Sequence, residues 1–124
     1  MAWKWSAINY RRMKEEIEFT EFLEIEKKLE IKYGTIEASE RINKKMLKLS
    51  VDFGEENLRT VVTNIGGKIE DESNLVGYQF PFITNLASAI ISGFESTAMI
   101  MIVETDDNTI LWPDSNFPNG TKLL

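Results

Sequence analysis

Met46 to Gly66 reads MLKLSVDFGEENLRTVVTNIG, and the period of its first half decides the fold. Leu47, Leu49, Val51 and Phe53 alternate there with Met46, Lys48, Ser50 and Asp52. Successive side chains of a strand point to opposite faces, so the alternation predicts a half-buried strand with the four apolar residues inward. Gly54-Glu55-Glu56-Asn57 supplies turn residues, and LRTVVTNI returns as the hairpin partner.

Upstream, IKYGTIEASE keeps the period of two, with Gly34 permitting a tight bend. Before it, Thr20 is placed to cap a helix that starts at Glu21, whose face of Phe19, Phe22 and Leu23 is expected to close one end of a barrel. Residues 1–18 read as a short, marginal helical extension, with Tyr10, Met13 and Ile17 at helical spacing.

Downstream, residues 66–79 read as a loop with one helical turn near Glu72 to Val76. FPFIT follows as a strand in which Pro81 cannot donate a ladder bond, which predicts a strand start or an edge. AMIMIVE is apolar on both faces, predicting central packing or a subunit interface, and Asp106-Asp107-Asn108 turns into TILW. Pattern alone gives a small β-rich domain. Five or six short strands with one longer connection suit an all-β architecture with added helices, a five-stranded Greek-key barrel of the OB type. The extension then occupies 1–18 and the OB domain 19–124.

Composition narrows the function. Cysteine and histidine are both absent, which removes disulfides, thiolate and imidazole chemistry and nearly all zinc or iron sites. No cofactor or metal is expected. No apolar run approaches about 20 residues, and the opening MAWKWSAINYRRMKEE lacks a signal-peptide core, so the expectation is a cytoplasmic protein with no membrane partner. The net charge is −6, yet residues 1–48 carry 11 Lys/Arg against 9 Asp/Glu while residues 49–124 carry 3 against 11. A polyanion would therefore have to meet a focused patch on the N-terminal side.

In order along the chain, EIKYGTIEASER (30–41), MLKLSVDFGEENLRTVVTNIG (46–66), LVGYQ (75–79), NL (85–86), GFESTAM (93–99) and PNGTKL (118–123) resemble the tRNA-binding domain family. This family comprises methionyl-tRNA synthetase C-terminal and β-subunit modules, their free-standing relatives and the CsaA-type export chaperones. The resemblance implies an OB barrel preceded by a helix, homodimerisation when the module stands alone, and recognition of tRNA by shape. CsaA-type members imply binding of unfolded or export-bound polypeptide instead. RTVVTNI looks closer to the synthetase-associated subgroup. Two departures stand out. Ala87 to Ser92 is apolar where the family carries Pro and basic residues, and the loop between the first two strands is shortened to Ile42-Asn43-Lys44-Lys45.

The residues expected to meet RNA are Lys32, at the family's basic position before the strand glycine, and Lys44, Lys45, Lys48, Arg59 and Lys68, which could form one basic groove. Asn64, Asn85, Ser96 and Met99 match family positions near strand ends. The first three could bond sugar or phosphate and Met99 could pack on a base; Asn85 and Ser96 could equally stabilise turns, and Met99 the core. Trp3 and Trp5 beside Arg11 and Arg12 could stack bases or cover a second subunit. The apolar loop and its neighbours, Ala87, Ile90, Ile91 and Phe94, form the expected peptide-binding surface under the chaperone reading.

Catalysis has little support in the residues. Gly66-Gly67-Lys68 lacks the spacing and the hydroxyl of a phosphate loop, Ile69 standing where Ser or Thr should be. The acidic pairs Glu15-Glu16, Glu55-Glu56, Asp71-Glu72 and Asp106-Asp107 read as solvated helix faces or turns. The reading is therefore a non-enzymatic, homodimeric tRNA-binding or structured-RNA-binding module. The alternative is a polypeptide-binding chaperone, and docking on an aminoacyl-tRNA synthetase is a third possibility.

Overall fold

The computed structural model describes residues 14–104, 110–111 and 116–123. Helix α1 (Phe19–Lys28) leads into β1 (Ile31–Arg41), which is followed by β2 (Leu47–Asp52) and β3 (Arg59–Thr63). Two 3-10 turns, Ile65–Lys68 and Glu72–Leu75, precede β4 (Gln79–Ile83). Then come β5 (Ala89–Ile91), β6 (Phe94–Ser96), β7 (Met99–Ile100), β8 (Val103–Glu104), β9 (Ile110–Leu111) and β10 (Lys122–Leu123).

Five strands run in the order β3-β2-β1-β4-β7, with β10 added on β1. β1 can serve two halves of the barrel because its length is divided. Its first residues pair with β4 and β10, and Thr35 to Arg41 pair with β2 across a register shift at Glu37. Between β3 and β7 the circuit is bridged by Thr97 N–H donating to Thr60 O (3.3 Å) and Val62 N–H donating to Ser96 Oγ (3.0 Å). The result is the nearly closed OB-like barrel that the strand pattern predicts.

The decisive alternation holds: Leu47, Leu49 and Val51 are fully buried and Phe53 nearly so. Phe53 meets Phe82 edge-on at 5.1 Å between ring centroids, and Ile36, Val61, Leu75 and Phe80 complete the core. Gly34 serves this packing through close approach. A Cβ there would lie 2.6 Å from Phe53 Cε1 and 2.7 Å from Val51 Cγ1.

Several local expectations are corrected. The helix starts at Phe19, with Glu18 at the N-cap position and no side-chain cap bond, so Thr20 lies inside the first turn. It does not seal the barrel: no α1 residue is buried, and Phe19, Phe22 and Ile25 are exposed. Pro81 is neither first nor last in β4. It sits opposite Tyr33, whose N–H and C=O bond Thr121 O and Gly120 N instead, so the missing donor costs no β1–β4 ladder bond. Residues 66–79 hold most of a second 3-10 turn beside the expected one.

AMIMIVE is broken into β7 and β8. Ile100 is buried while Met99 and Val103 are half-exposed or more, so within one chain it is not covered on both faces. Half of Ala87–Ser92 is strand, β5, paired with β6 through a two-residue turn with positive φ at Ser92 (51°) and Gly93 (85°). Val103 pairs with Leu111 and Glu104 with Ile110, while the Asp106-Asp107-Asn108 turn lies outside the described residues, as do Trp3, Trp5, Tyr10, Arg11, Arg12 and Met13. Residues 14–18 are irregular.

Candidate nucleic-acid interface

The basic residues do not form one groove; β1 separates them into two ends. Lys32 begins β1 and Arg59 begins β3, whereas Lys44, Lys45 and Lys68 follow the far end of β1. Arg41 is nine residue steps along the strand from Lys32, or up to about 30 Å.

At the Lys32 end, the cations are engaged. Arg59 donates from Nε and Nη2 to both oxygens of Glu55 (2.7 and 2.6 Å) and from Nη1 to Thr84 O (2.7 Å), with its guanidinium 5.3 Å from the Phe53 ring centre. The bidentate bond holds the Glu55 carboxyl below the usual carboxylate range and raises Arg59. Lys32 lies 3.4 Å from Glu30, whose carboxyl is lowered first by the Thr84 hydroxyl and then by Lys32. This end is a self-neutralised cluster.

The opposite end is built around Arg41. Its Nη1 donates to Lys44 O (3.1 Å) and Gly66 O (2.9 Å), its Nη2 to Ile69 O (2.7 Å) and its Nε to Glu72 Oε1 (3.2 Å). One guanidinium therefore ties the β1–β2 loop to the first 3-10 turn. Asn43 Oδ1 fixes the same loop by accepting from Lys45 N–H (3.0 Å) and Met46 N–H (2.9 Å). Gly66 N–H donates to Lys45 O (2.8 Å), and a Cβ at Gly66 would stand 2.8 Å from that oxygen. The backbone is thus committed inward. Among the described residues, no ion pair engages Lys44 or Lys45. They line an open cleft with Arg41, Gly66, Gly67, Lys68 and Glu70.

The remaining candidates scatter. Lys48 lies opposite Glu40 near the Arg41 end, 3.3 Å from the Glu40 carboxylate and 4.5 Å above the Phe94 ring. Asn85 accepts from Glu30 N–H (2.8 Å) and donates to Lys28 O, tying the end of α1 to the end of β4. Ser96 is buried, accepting from Val62 N–H and donating to Ala98 O. Asn64 is exposed and makes no cap bond to the turn it precedes. Met99 is 50% exposed rather than core. Of the peptide-surface candidates, Ala87 and Ile90 are exposed, Phe94 is partly so and Ile91 lines an apolar cleft.

Sequence reasoning did not single out Arg41, although the quoted block EIKYGTIEASER ends on it. An arginine that closes a strand just before a two-lysine loop is the available signal. The LVGYQ and PNGTKL blocks join one another. Buried Gln79 donates to Asn119 Oδ1 (3.3 Å) and to the preceding Phe117 O (2.6 Å) and accepts from Phe117 N–H (3.0 Å), while Thr35 Oγ1 from β1 donates to Asn119 Oδ1 (2.7 Å). They clasp the C-terminal segment to the barrel. Among the described residues, no group of three or more acidic side chains is placed to hold a metal, and no helix is long and apolar enough to cross a membrane.

The chain is similar to known proteins in both sequence and fold. The methionine–tRNA ligase of Methanococcoides burtonii is 43% identical over 100 residues, 77% of this chain and 14% of the ligase. That of Helicobacter pylori strain J99 is 42% identical over 87 residues, 68% of this chain and 13% of the ligase, so the chain spans about a seventh of such relatives. Among solved structures, a MetRS related protein from Pyrococcus horikoshii superposes with a TM-score of 0.72 at 32% identity, covering 90% of this chain and all of that one. The chaperone CsaA from Bacillus anthracis gives a TM-score of 0.69 at 25% identity, covering 89% of this chain and all of that one. Residues 31–122 match the family described as "Putative tRNA binding domain", and the chain belongs to that tRNA-binding domain family.

Proposed function

We propose that this chain is a non-catalytic, cytoplasmic module that binds tRNA by backbone contacts from Lys44, Lys45 and Lys68, working as a homodimer. The observation that carries it is the Arg41 tie, which holds the backbone of the lysine loop and the glycine turn together and leaves two lysines facing solvent. Phosphate contacts displace counterions, so affinity should fall steeply with salt, with a slope of about 0.9 per contact on a duplex backbone. The homodimer is supported by apolar surface exposed among the described residues: Phe19, Phe22 and Ile25 on α1, and Val103. Measuring tRNA binding at two salt concentrations tests the reading. A salt-sensitive complex supports it, and no complex at low salt, or one indifferent to salt, overturns it.

A second reading, binding of unfolded polypeptide, is favoured by the hairpin tip, where Ile90 is 72% exposed and Phe94 36%. Its test is suppression of client aggregation by the wild type and by a variant with Ile90→Ser and Ile91→Ser. Unchanged suppression in the variant would remove this surface from consideration. Docking in trans on an aminoacyl-tRNA synthetase fits the ligase relatives, and co-purification with such an enzyme would test it.

A further inference from the structure

The lysine cleft has an apolar neighbour. A cleft of about 410 Å³ is lined by Met46, Asn64, Ile65, Ile91, Met99 and Ile102 among others. The two linings meet along the chain at two places: Lys45 is followed by Met46, and Asn64-Ile65 by Gly66. Consecutive Cα atoms are about 3.8 Å apart, so the rims of the two clefts adjoin there. On the shared ridge stands Asn64, exposed, its amide not spent on capping the turn.

From this juxtaposition, and resting on the tRNA reading above, we infer that the site takes one unpaired nucleotide, its base in the apolar cleft and its phosphate against Lys44 and Lys45. The chemistry is complementary at both ends. A nucleotide joins a flat, apolar-faced base to an anion through one sugar, and here an apolar lining adjoins a lysine-bearing one. The polarizable thioethers of Met46 and Met99 and the branched chains of Ile65, Ile91 and Ile102 suit the base face, and Asn64 can both donate to and accept from its edge. A base inside a duplex is covered on both faces and cannot enter, whereas one already splayed from a loop or a chain end pays little to unstack. The lysines supply attraction to any RNA backbone; the apolar cleft selects unpaired positions along it.

Selective ¹³C labelling of methionine methyls tests this in the intact chain, which has five methionines. The probes are a single-stranded RNA dodecamer, the same strand annealed to its complement, and an unfolded client polypeptide. With the single strand, ring currents should move the Met46 and Met99 methyls upfield while the Lys44 and Lys45 amides respond. With the duplex, only the lysine amides should respond. Met99→Ala should weaken the single strand about five- to tenfold and leave the salt slope unchanged. Lysine amides that respond to RNA while both methyls stay still overturn the inference and leave the tRNA reading standing. Methyls that move with the polypeptide and not the single strand, or with protein concentration alone, assign the cleft to a polypeptide or to a second copy and also overturn it. No response to any RNA, tRNA included, overturns both.

Discussion

Both ends of the barrel carry an arginine with several hydrogen bonds, yet they differ in what surrounds it. Arg59 is held by both oxygens of Glu55 beside the Glu30–Lys32 pair, so cations and carboxylates cancel within the cluster. Arg41 directs three of its four donated hydrogen bonds to backbone carbonyls and one to Glu72, and so organises a loop whose own lysines are left outward. Counting cations in sequence therefore does not tell which surface they leave basic. An arginine can neutralise an acid or shape a backbone, and only the second leaves neighbouring lysines available to phosphate.

Four predictions bear on that contrast, ranked by expected change in stability. Arg41→Ala leaves three carbonyls and Glu72 without their shared donor. It should cost about 2 to 4 kcal/mol and also weaken tRNA binding, read by denaturant melts and by titration. If tRNA binding is unchanged in the folded variant, the loop does not need its organiser. Gly34→Ala, at the opposite end, drives a Cβ to 2.6 Å from the Phe53 ring and should cost about 1 to 3 kcal/mol. Unlike Arg41→Ala, it should leave tRNA affinity in the folded fraction untouched, and a loss would mean that the two ends communicate.

The third prediction concerns acid. In the folded chain the Glu30 and Glu55 carboxyls lie below their ordinary 4.5, so their stabilisation is complete above that value and is lost as pH falls through the lowered range. Glu55→Gln should flatten the acid limb of a stability–pH curve and, by unmasking Arg59, raise tRNA affinity about two- to fivefold. Unaltered affinity would show that this end does not meet RNA even when its charge is exposed. The smallest change in stability is expected for Lys44→Ala with Lys45→Ala, within about 0.5 kcal/mol of wild type. Their effect should appear in the salt slope of tRNA binding, lower by about two units, and an unchanged slope would place the phosphate contacts elsewhere.

Much of the barrel was legible because strand burial is a local property. Leu47, Leu49, Val51 and Phe53 face inward by alternation alone, and the Gly54 to Asn57 turn follows from residue type. Errors arose where the local signal was incomplete. Met99 opens an apolar run yet is left half-exposed. The helix face of Phe19 and Phe22 reads as core-facing, but among the described residues both rings are exposed.

The candidate site was legible in its parts and not in its grouping. The sequence by itself determined the family, the inward face of β2 and a short loop carrying two lysines, because each depends on neighbours in the chain. Only the tertiary structure decided which cations remain outward. Arg41 meets Glu72 across 31 residues and Ile69 across 28, while Glu30 meets Thr84 across 54. Charge pairing falls off over a few ångströms in space, and sequence distance does not report it.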